Sequence, residues 1–143
     1  MYRENAQEDR SVLVVSLNGR VVGFDASSGE RRWQYDNGDR QPGPDVLVHA
    51  GRVYVLAMTK GLTVLDYLTG EQQAKTDALG TYGGARPTML VEGERLFVTA
   101  GAEVFCFDLV ANLLWHDRMK GMGISSVTLA FPDSIRHADH GRR

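Results

Sequence analysis

The stretch Arg20-Val-Val-Gly-Phe-Asp-Ala-Ser-Ser-Gly-Glu-Arg-Arg-Trp33 has the layout of a strand, a tight polar turn and a returning strand. Its β-branched and aromatic residues favour an extended chain. Ser28-Gly29 is a turn signal, because glycine adopts positive φ at little cost. Two later stretches, 62–71 and 103–115, repeat this layout. The chain is therefore built from a repeated unit.

Asp25, Asp66 and Asp108 hold corresponding places in the three stretches, so the spacing is 41 and then 42 residues. A period of about 40 residues is typical of propeller blades and of other repeat units. The apolar runs are short and separated by turn residues, and no segment has helical periodicity,. We therefore expect an all-β protein made of antiparallel β-propeller blades.

The strand pattern predicts three four-stranded blades, one of which is divided between the two ends of the chain. The first unit has three predicted strands, beginning with Ser11–Leu17, and the second and third units have four each. A lone predicted strand, Ile124–Phe131, matches the first strand of the later units. We accordingly expect a flexible N-terminus over residues 1–10, a propeller domain over 11–131 and a polar C-terminal tail over 132–143.

The run from Gly23 to Trp33 resembles the tryptophan-docking pattern of the pyrroloquinoline-quinone-like (PQQ-like) β-propeller repeats. In that pattern a small residue precedes x-Asp-x-x-Thr-Gly-x-x-x-Trp, and Ser28 stands here at the position of the threonine. The resemblance covers about residues 11–131, and its structural motif residues are Asp25, Gly29, Trp33, Asp66, Gly70, Asp108 and Trp115. It implies that the aspartate caps the turn, that the glycine adopts positive φ, and that the tryptophan packs against a neighbouring blade.

Two of the repeats depart from this pattern. The second has Ala74 where tryptophan is expected, and the third has Asn112 in place of the glycine. The PQQ-dependent dehydrogenases to which the family name refers use longer chains with eight blades, a calcium site and a cofactor pocket. This chain is much shorter and has no cluster of carboxylates and asparagines for calcium. We therefore expect no cofactor, no metal and no catalytic residue, and predict that the protein is not an enzyme.

Three blades are too few to close a ring, since propellers have four to eight. Two chains would supply six blades. We expect a homodimer in which Ile124–Phe131 of each chain joins the sheet that contains Ser11–Leu17 of the other, because exchange of strands is a low-cost route to a dimer. Two alternatives stay open: the chain is a piece of a larger propeller, or it associates with another protein that carries blades.

Charge and composition narrow the range of partners. The chain has 16 Lys and Arg against 18 Asp and Glu, a net charge of −2, with no long run of one sign. A nucleic acid or an anionic membrane surface requires a concentrated basic patch, so neither is expected as a partner. The N-terminus has no apolar segment, which predicts no secretory signal and a cytoplasmic location. Cys106 lies in an apolar run and is expected to be a buried small hydrophobe.

The histidines are the remaining candidates for chemistry. His137 and His140 form the one local cluster of possible metal ligands, but they lie in the predicted tail, which offers no rigid frame for an ion. His49 and His116 lie in predicted strands and are expected to be hydrogen-bonded sheet residues. No serine occurs in the Gly-x-Ser-x-Gly pattern of a nucleophile elbow,.

Tyr82, Arg86 and Met122 lie in or beside glycine-rich connectors and are candidate partner-facing residues on one rim of the ring. By analogy with the fold, the sequence predicts a protein-protein interaction or assembly scaffold. The alternative is a small-ligand or ion-binding sensor module that uses the central channel.

Overall fold

The structure, a computed structural model, describes residues 8–38, 43–80, 86–123, 125 and 127–137, the last four of these as backbone only. Every regular element in these ranges is a β-strand, and each pairing whose register is resolved is antiparallel. The all-β prediction is thereby confirmed. The chain divides into two compact units, Met1–Lys75 and Thr76–Arg143, which are described separately.

Blade 1, in the first unit, has three strands in the order β1 (Val12–Leu17), β2 (Arg20–Asp25) and β3 (Arg31–Asp36). Asn18 and Gly19 join β1 to β2 with φ of 52° and 83°. Two positive φ values in a two-residue loop match the right-handed twist of the flanking strands, which is why Asn-Gly occurs at this turn. β1 is an edge strand of this sheet.

Blade 2 completes the first unit with four strands: β4 (Asp45–His49), β5 (Arg52–Ala57), β6 (Gly61–Asp66) and β7 (Gln72–Thr76). Its two central strands are buried along almost their whole length. Blades 1 and 2 share one apolar cluster, which consists of Val12, Val21, Trp33, Val53, Val55, Leu65 and Tyr67. One face of each sheet thus packs against the other blade.

Blade 3, in the second unit, comprises β8 (Thr88–Glu92), β9 (Arg95–Ala100), β10 (Glu103–Asp108) and β11 (Leu113–Asp117). A C-terminal hairpin follows, formed by β12 (Thr128–Phe131) and β13 (Ser134–His137). Phe131 packs on Phe97 of β9, with ring centroids 5.3 Å apart, so the hairpin is attached to blade 3 through an aromatic contact.

The hairpin differs from the predicted ending of the chain. β12 falls within the predicted lone strand Ile124–Phe131, but its partner is β13, which lies in the stretch predicted as a polar tail. The sequence of β13 is too short and too polar to indicate a strand by itself. Its pairing with the apolar β12 across a turn at Asp133, where φ is 65°, gives it this structure.

Candidate protein-interaction site

Trp33 links blade 1 to blade 2. Its indole lies between the backbones of Gly23 and Gly70, and a Cβ built on Gly70 would come within 2.5–2.7 Å of three indole atoms. The indole Nε1 donates a hydrogen bond of 2.9 Å to the carbonyl oxygen of Tyr67. Only glycine leaves room for the ring on both sides. Trp33 therefore packs against the neighbouring blade, as the resemblance to the PQQ-like repeats implies.

Tyr67 makes a second link between the same blades, which the sequence did not indicate. Its hydroxyl donates to the carbonyl oxygen of Val12 at 2.7 Å and accepts from the amide of Val12 at 2.9 Å. The contact is buried, and the hydroxyl satisfies the amide and the carbonyl of Val12, which would otherwise need hydrogen bonds from water. The only signal was a tyrosine directly after Asp66, where the other repeats have Ala26 and Leu109.

The repeat aspartates cap the turns between the last two strands of each blade. The Asp25 carboxylate accepts hydrogen bonds from the Ser27 hydroxyl and from the amides of Ser27 and Ser28. The hydrogen bond from the Ser27 hydroxyl and the two amide bonds lower the pKa of Asp25 below its ordinary value of 3.8. Asp66 accepts equivalent bonds from the amides of Leu68 and Thr69 and from the Thr69 hydroxyl.

Asp108 makes the same kind of cap in blade 3. It accepts from the amides of Val110 and Asn112 and from the Asn112 side-chain amide. Its partial burial would raise the pKa of the carboxyl, but these hydrogen bonds from Asn112 and Val110 outweigh burial and lower it. All three aspartates thus act on the local turn.

In the third repeat, the residue at the glycine position of the turn differs from the one that the sequence alignment predicted. Gly29 and Gly70 have φ of 81° and 75°, and each donates its amide to the carbonyl of the repeat aspartate. In blade 3 it is Ala111, with φ of 69°, that donates to the carbonyl of Asp108. Asn112, predicted to stand in place of the glycine, is instead the next residue. The third turn is one residue shorter, and this shifts the alignment.

Trp115 has the strand position of Trp33 but not its environment. It is opposite Cys106 in the β10–β11 ladder, as Trp33 is opposite Gly23, and a bulge follows each pair at the same place. Cys106 has a buried side chain where Gly23 has none. Trp115 is 43% exposed against 8% for Trp33, and its ring rests on Phe97 at a centroid distance of 6.1 Å.

Blade 1 has an uncovered apolar face and edge. Leu13, Val15 and Leu17 on β1 are 58%, 38% and 72% exposed. A cleft of about 350 Å³ lies beside β1, and its apolar lining is Val12, Leu13, Val14, Ala26, Val48 and the ring of Tyr67. Glu8, Asp9 and Arg10 form its polar side. The combination of an edge strand, exposed aliphatic residues and a cleft is typical of a surface that accepts an extended segment.

The predicted rim residues are only partly described. Arg86 lies two residues before β8, and Met122 lies five residues after β11. The start of β8 and the end of β11 are at the same end of blade 3, because its four strands are antiparallel. Met122 is 72% exposed. Tyr82 lies outside the described residues.

The histidines and the cysteine occupy structural positions in the described part of the chain. His116 Nε2 lies 2.6 Å from Glu103 Oε1, and its ring stacks on Phe105 at 4.1 Å. His49 is opposite Arg52 at the end of β4. Cys106 is buried, and its burial raises the pKa of the thiol despite the nearby Arg95. His137 ends β13, and His140 lies outside the described residues.

Within the described ranges no three His, Cys, Asp or Glu side chains converge in a way that would hold a metal ion. The same residues contain no helix long and apolar enough to cross a membrane.

The antiparallel blades, the repeated aspartate-capped turn and the docked Trp33 define a β-propeller protein of the PQQ-like repeat class. The chain belongs to the family described as "Outer membrane protein assembly factor BamB", whose sequence model matches residues 17–133. None of the curated proteins matches the chain.

Solved structures share this fold at low sequence identity. BamB from Moraxella catarrhalis has a TM-score of 0.61 at 20% identity, over 76% of this chain and 33% of that one. A europium-containing methanol dehydrogenase has a TM-score of 0.57 at 17% identity, over 76% of this chain and 23% of the other. The computationally designed Ika8 protein has a TM-score of 0.68 at 13% identity, over 92% of this chain and 41% of Ika8. The chain thus spans less than half the length of each.

Proposed function

We propose that this protein is a non-enzymatic scaffold for protein-protein interaction or assembly, and that its propeller ring closes when two copies associate. The observation that carries the proposal is the uncovered face of blade 1. Leu13, Val15 and Leu17 occupy the ladder positions that Val53, Val55 and Ala57 occupy in blade 2. The blade 2 residues are at most 5% exposed.

In a repeat protein each unit buries its apolar face against its neighbours. The greater exposure of the blade 1 residues therefore indicates that this face lacks a neighbouring blade. Val53 and Val55 are buried in the cluster that blade 2 shares with blade 1. The corresponding face of blade 1 is where a preceding blade would pack. Exposed Leu and Val at three alternating positions are costly in water, at roughly 25 cal/mol per Å² of apolar surface, and a second copy would cover them.

Strand exchange is the second part of the proposal. The strand β12 of each copy would add to the open edge of β1 of the other, as the first strand of blade 1. β4 and β8 hold that place in blades 2 and 3. The cleft beside β1 supports this arrangement, because its apolar lining suits an extended segment that alternates apolar and polar side chains,. In β12 the partly buried residues Leu129 and Phe131 alternate with the exposed Thr128 and Ala130.

A protein partner would then bind the completed ring at a rim. Arg86 and Met122, in the segments before β8 and after β11, are the described residues that we propose for this contact. The description of the family as an assembly factor fits such a role. The cytoplasmic location and the absence of nucleic-acid and membrane partners stay predictions.

The experiment is a mass measurement by light scattering after size exclusion. We expect a species near twice 15.8 kDa that dissociates on dilution. Leu13→Lys should shift the protein to the monomer, because a lysine on an edge strand opposes pairing. Leu68→Lys is the matched control, since Leu68 is exposed to a similar extent, 47%, but lies in a turn of blade 2. A wild-type monomer at all concentrations, or equal effects of both variants, would contradict ring closure by two copies.

The second candidate function is the small-ligand or ion-binding sensor module. The cleft beside β1 favours it, because about 350 Å³ is within the range of small-molecule pockets,. The two functions differ in the fate of this cleft. In the scaffold it is filled by protein on dimerisation, so the outward-pointing amides of β1, that of Val14 among them, become protected from hydrogen exchange as the dimer forms,. In the sensor they stay open in the dimer.

A further inference from the structure

In the first unit Trp33 docks on a glycine of the next repeat, Gly70. Trp115 and Gly29 hold the corresponding repeat positions, but among the described residues no repeat glycine follows Trp115 and no repeat tryptophan precedes Gly29. We infer that Trp115 of one copy docks on the Gly29 turn of a second copy. This docking rests on the proposed closure of the ring by two copies and names the residues that would form the joint. It makes the interface head-to-tail, a geometry that closes when the rotation between copies completes a ring.

The first unit contains the template for this joint. Trp33 of blade 1 lies over Gly70 in the turn of blade 2, and its Nε1 donates to the carbonyl of the residue that follows the repeat aspartate, Tyr67. The contact needs a glycine at positive φ with no Cβ under the ring. It also needs a tryptophan on the last strand of the preceding blade.

The second and third repeats show which residue stands in the turn when the tryptophan of the preceding repeat is absent. Blade 2 has Ala74 on its last strand where blade 1 has Trp33. The turn of blade 3 has Ala111, with φ of 69°, where blade 2 has Gly70. Where the tryptophan is missing, the next turn has a residue with a Cβ. Glycine is thus found at this position where a tryptophan requires it, although Ala111 shows that the turn itself can form without glycine.

No tryptophan precedes Gly29 in the sequence, but the turn at Gly29 has the same backbone geometry as the turn at Gly70. Its φ is 81°, its amide donates to the Asp25 carbonyl at 2.8 Å, and the Gly70 amide donates to the Asp66 carbonyl at the same distance. A Cβ built on Gly29 would meet nothing within 4 Å. Ala26 follows Asp25 as Tyr67 follows Asp66, and it is exposed. The site for an indole is formed and open.

Trp115 supplies the other half. Its ladder position and the bulge that follows match those of Trp33. Cys106 has a buried side chain at the position of Gly23, and 43% of Trp115 is exposed. A large aromatic residue that is exposed and already supported on one side, here by Phe97, is the kind of side chain that anchors interfaces,.

The test uses the native chain labelled with 5-fluorotryptophan, which gives one ¹⁹F resonance for Trp33 and one for Trp115. The Trp115→Phe variant assigns them. The ¹⁹F shift difference between H₂O and D₂O reports the exposure of each ring. We expect the Trp115 resonance to lose most of this difference as the protein concentration rises through the dimer transition, while the Trp33 resonance is unchanged.

Two variants locate the contact. Gly29→Ala should weaken dimerisation by at least about tenfold, because a Cβ would occupy the position of the ring. Gly38→Ala is the matched control: it has the same φ of 81° and open surroundings, so it carries the same backbone strain without the joint, and we expect less than about a twofold change,. Equal thermal stability of the two variants at low concentration shows that both fold alike.

The outcomes separate this inference from the function on which it rests. A dimer in which Trp115 stays exposed, or in which Gly29→Ala and Gly38→Ala have the same effect, overturns the docking and leaves ring closure standing. A wild-type chain that is monomeric at every concentration overturns both.

Discussion

Trp33 and Gly70 form a joint in which the tryptophan of one blade occupies the space that a side chain of the next would need. A Cβ on Gly70 would approach the indole to 2.5 Å, far inside van der Waals contact. The ring therefore fixes the distance between the two backbones, and the Nε1 bond to Tyr67 fixes its orientation. The packing in this joint depends on Trp33 and Gly70, and its hydrogen bond joins Trp33 to the backbone of Tyr67.

Gly70→Ala should lower the free energy of unfolding by roughly 2–4 kcal/mol, since it combines overlap with Trp33 and a strained φ of 75°,. Gly51→Ala is the control, with φ of 79° and open surroundings, and should lose only about 1 kcal/mol,. Urea denaturation measures both. If the two variants lose the same stability, the overlap with the indole is unimportant.

Trp33→Phe should cost about 1–3 kcal/mol, because it removes the Nε1 hydrogen bond and leaves part of the space between the glycines unfilled,. Trp115→Phe at a protein concentration low enough to exclude association should change the free energy of unfolding by less than about 0.5 kcal/mol, since that ring is exposed,. The midpoint of chemical denaturation compares them. A larger loss for Trp115→Phe than for Trp33→Phe would be incompatible with the burial of the two rings.

Tyr67→Phe should cost about 1–3 kcal/mol, because it leaves the amide and carbonyl of the buried Val12 without their partner,. The adjacent cleft can admit water, which keeps the loss from being larger,. Tyr35→Phe is the matched control: the Tyr35 hydroxyl is 3.5 Å from Gln72 in an exposed contact, so we expect less than about 0.5 kcal/mol,. Thermal unfolding of the two variants compares their losses of stability. Equal losses would show that the hydroxyl of Tyr67 contributes no more to stability than that of Tyr35.

The capped turns predict a loss of stability in acid. The pKa values of Asp25 and Asp108 are lowered in the folded chain, so their contribution is fully present above the ordinary value of 3.8. It is lost as the pH falls through the lower folded values. Asp25→Asn and Asp108→Asn retain an acceptor oxygen but cannot titrate. Each should reduce the dependence of the unfolding free energy on pH below 3.8, as followed by denaturation at a series of pH values. Parallel curves for the variants and the wild type would show that these carboxylates do not control acid unfolding.

The sequence was sufficient for strands β1 to β11 because each depends on local signals. Apolar runs of five or six residues end at Gly, Asn or Asp, and the aspartates recur at a fixed period. The packing of Trp33 against a neighbouring blade was implied by the resemblance to the PQQ-like repeats. These features depend on residues that are close together in the chain or equivalent in successive repeats.

The features that the sequence did not reveal depend on pairing between distant residues. Tyr67 has no counterpart in the other repeats, and its bond to Val12 spans 55 residues. β13 is polar and is a strand because β12 is available to pair with it. The role of Ala111 became visible only when its amide was seen to donate to the Asp108 carbonyl, because a one-residue deletion had moved the alignment to Asn112.

The bond between Tyr67 and Val12 also limits how blade 1 can aggregate. Alternate residues of an edge strand point their backbone groups outward, so Val14 and Ser16 face the same side as Val12,. The tyrosine hydroxyl occupies the outward groups of Val12 and shortens the open template to the remainder of β1. An edge of that length can receive a strand as short as the four residues of β12, but it is a poor seed for the long ladders of cross-β fibrils,. One hydroxyl group therefore protects against uncontrolled polymerisation at the edge that we propose receives β12 of a second copy,.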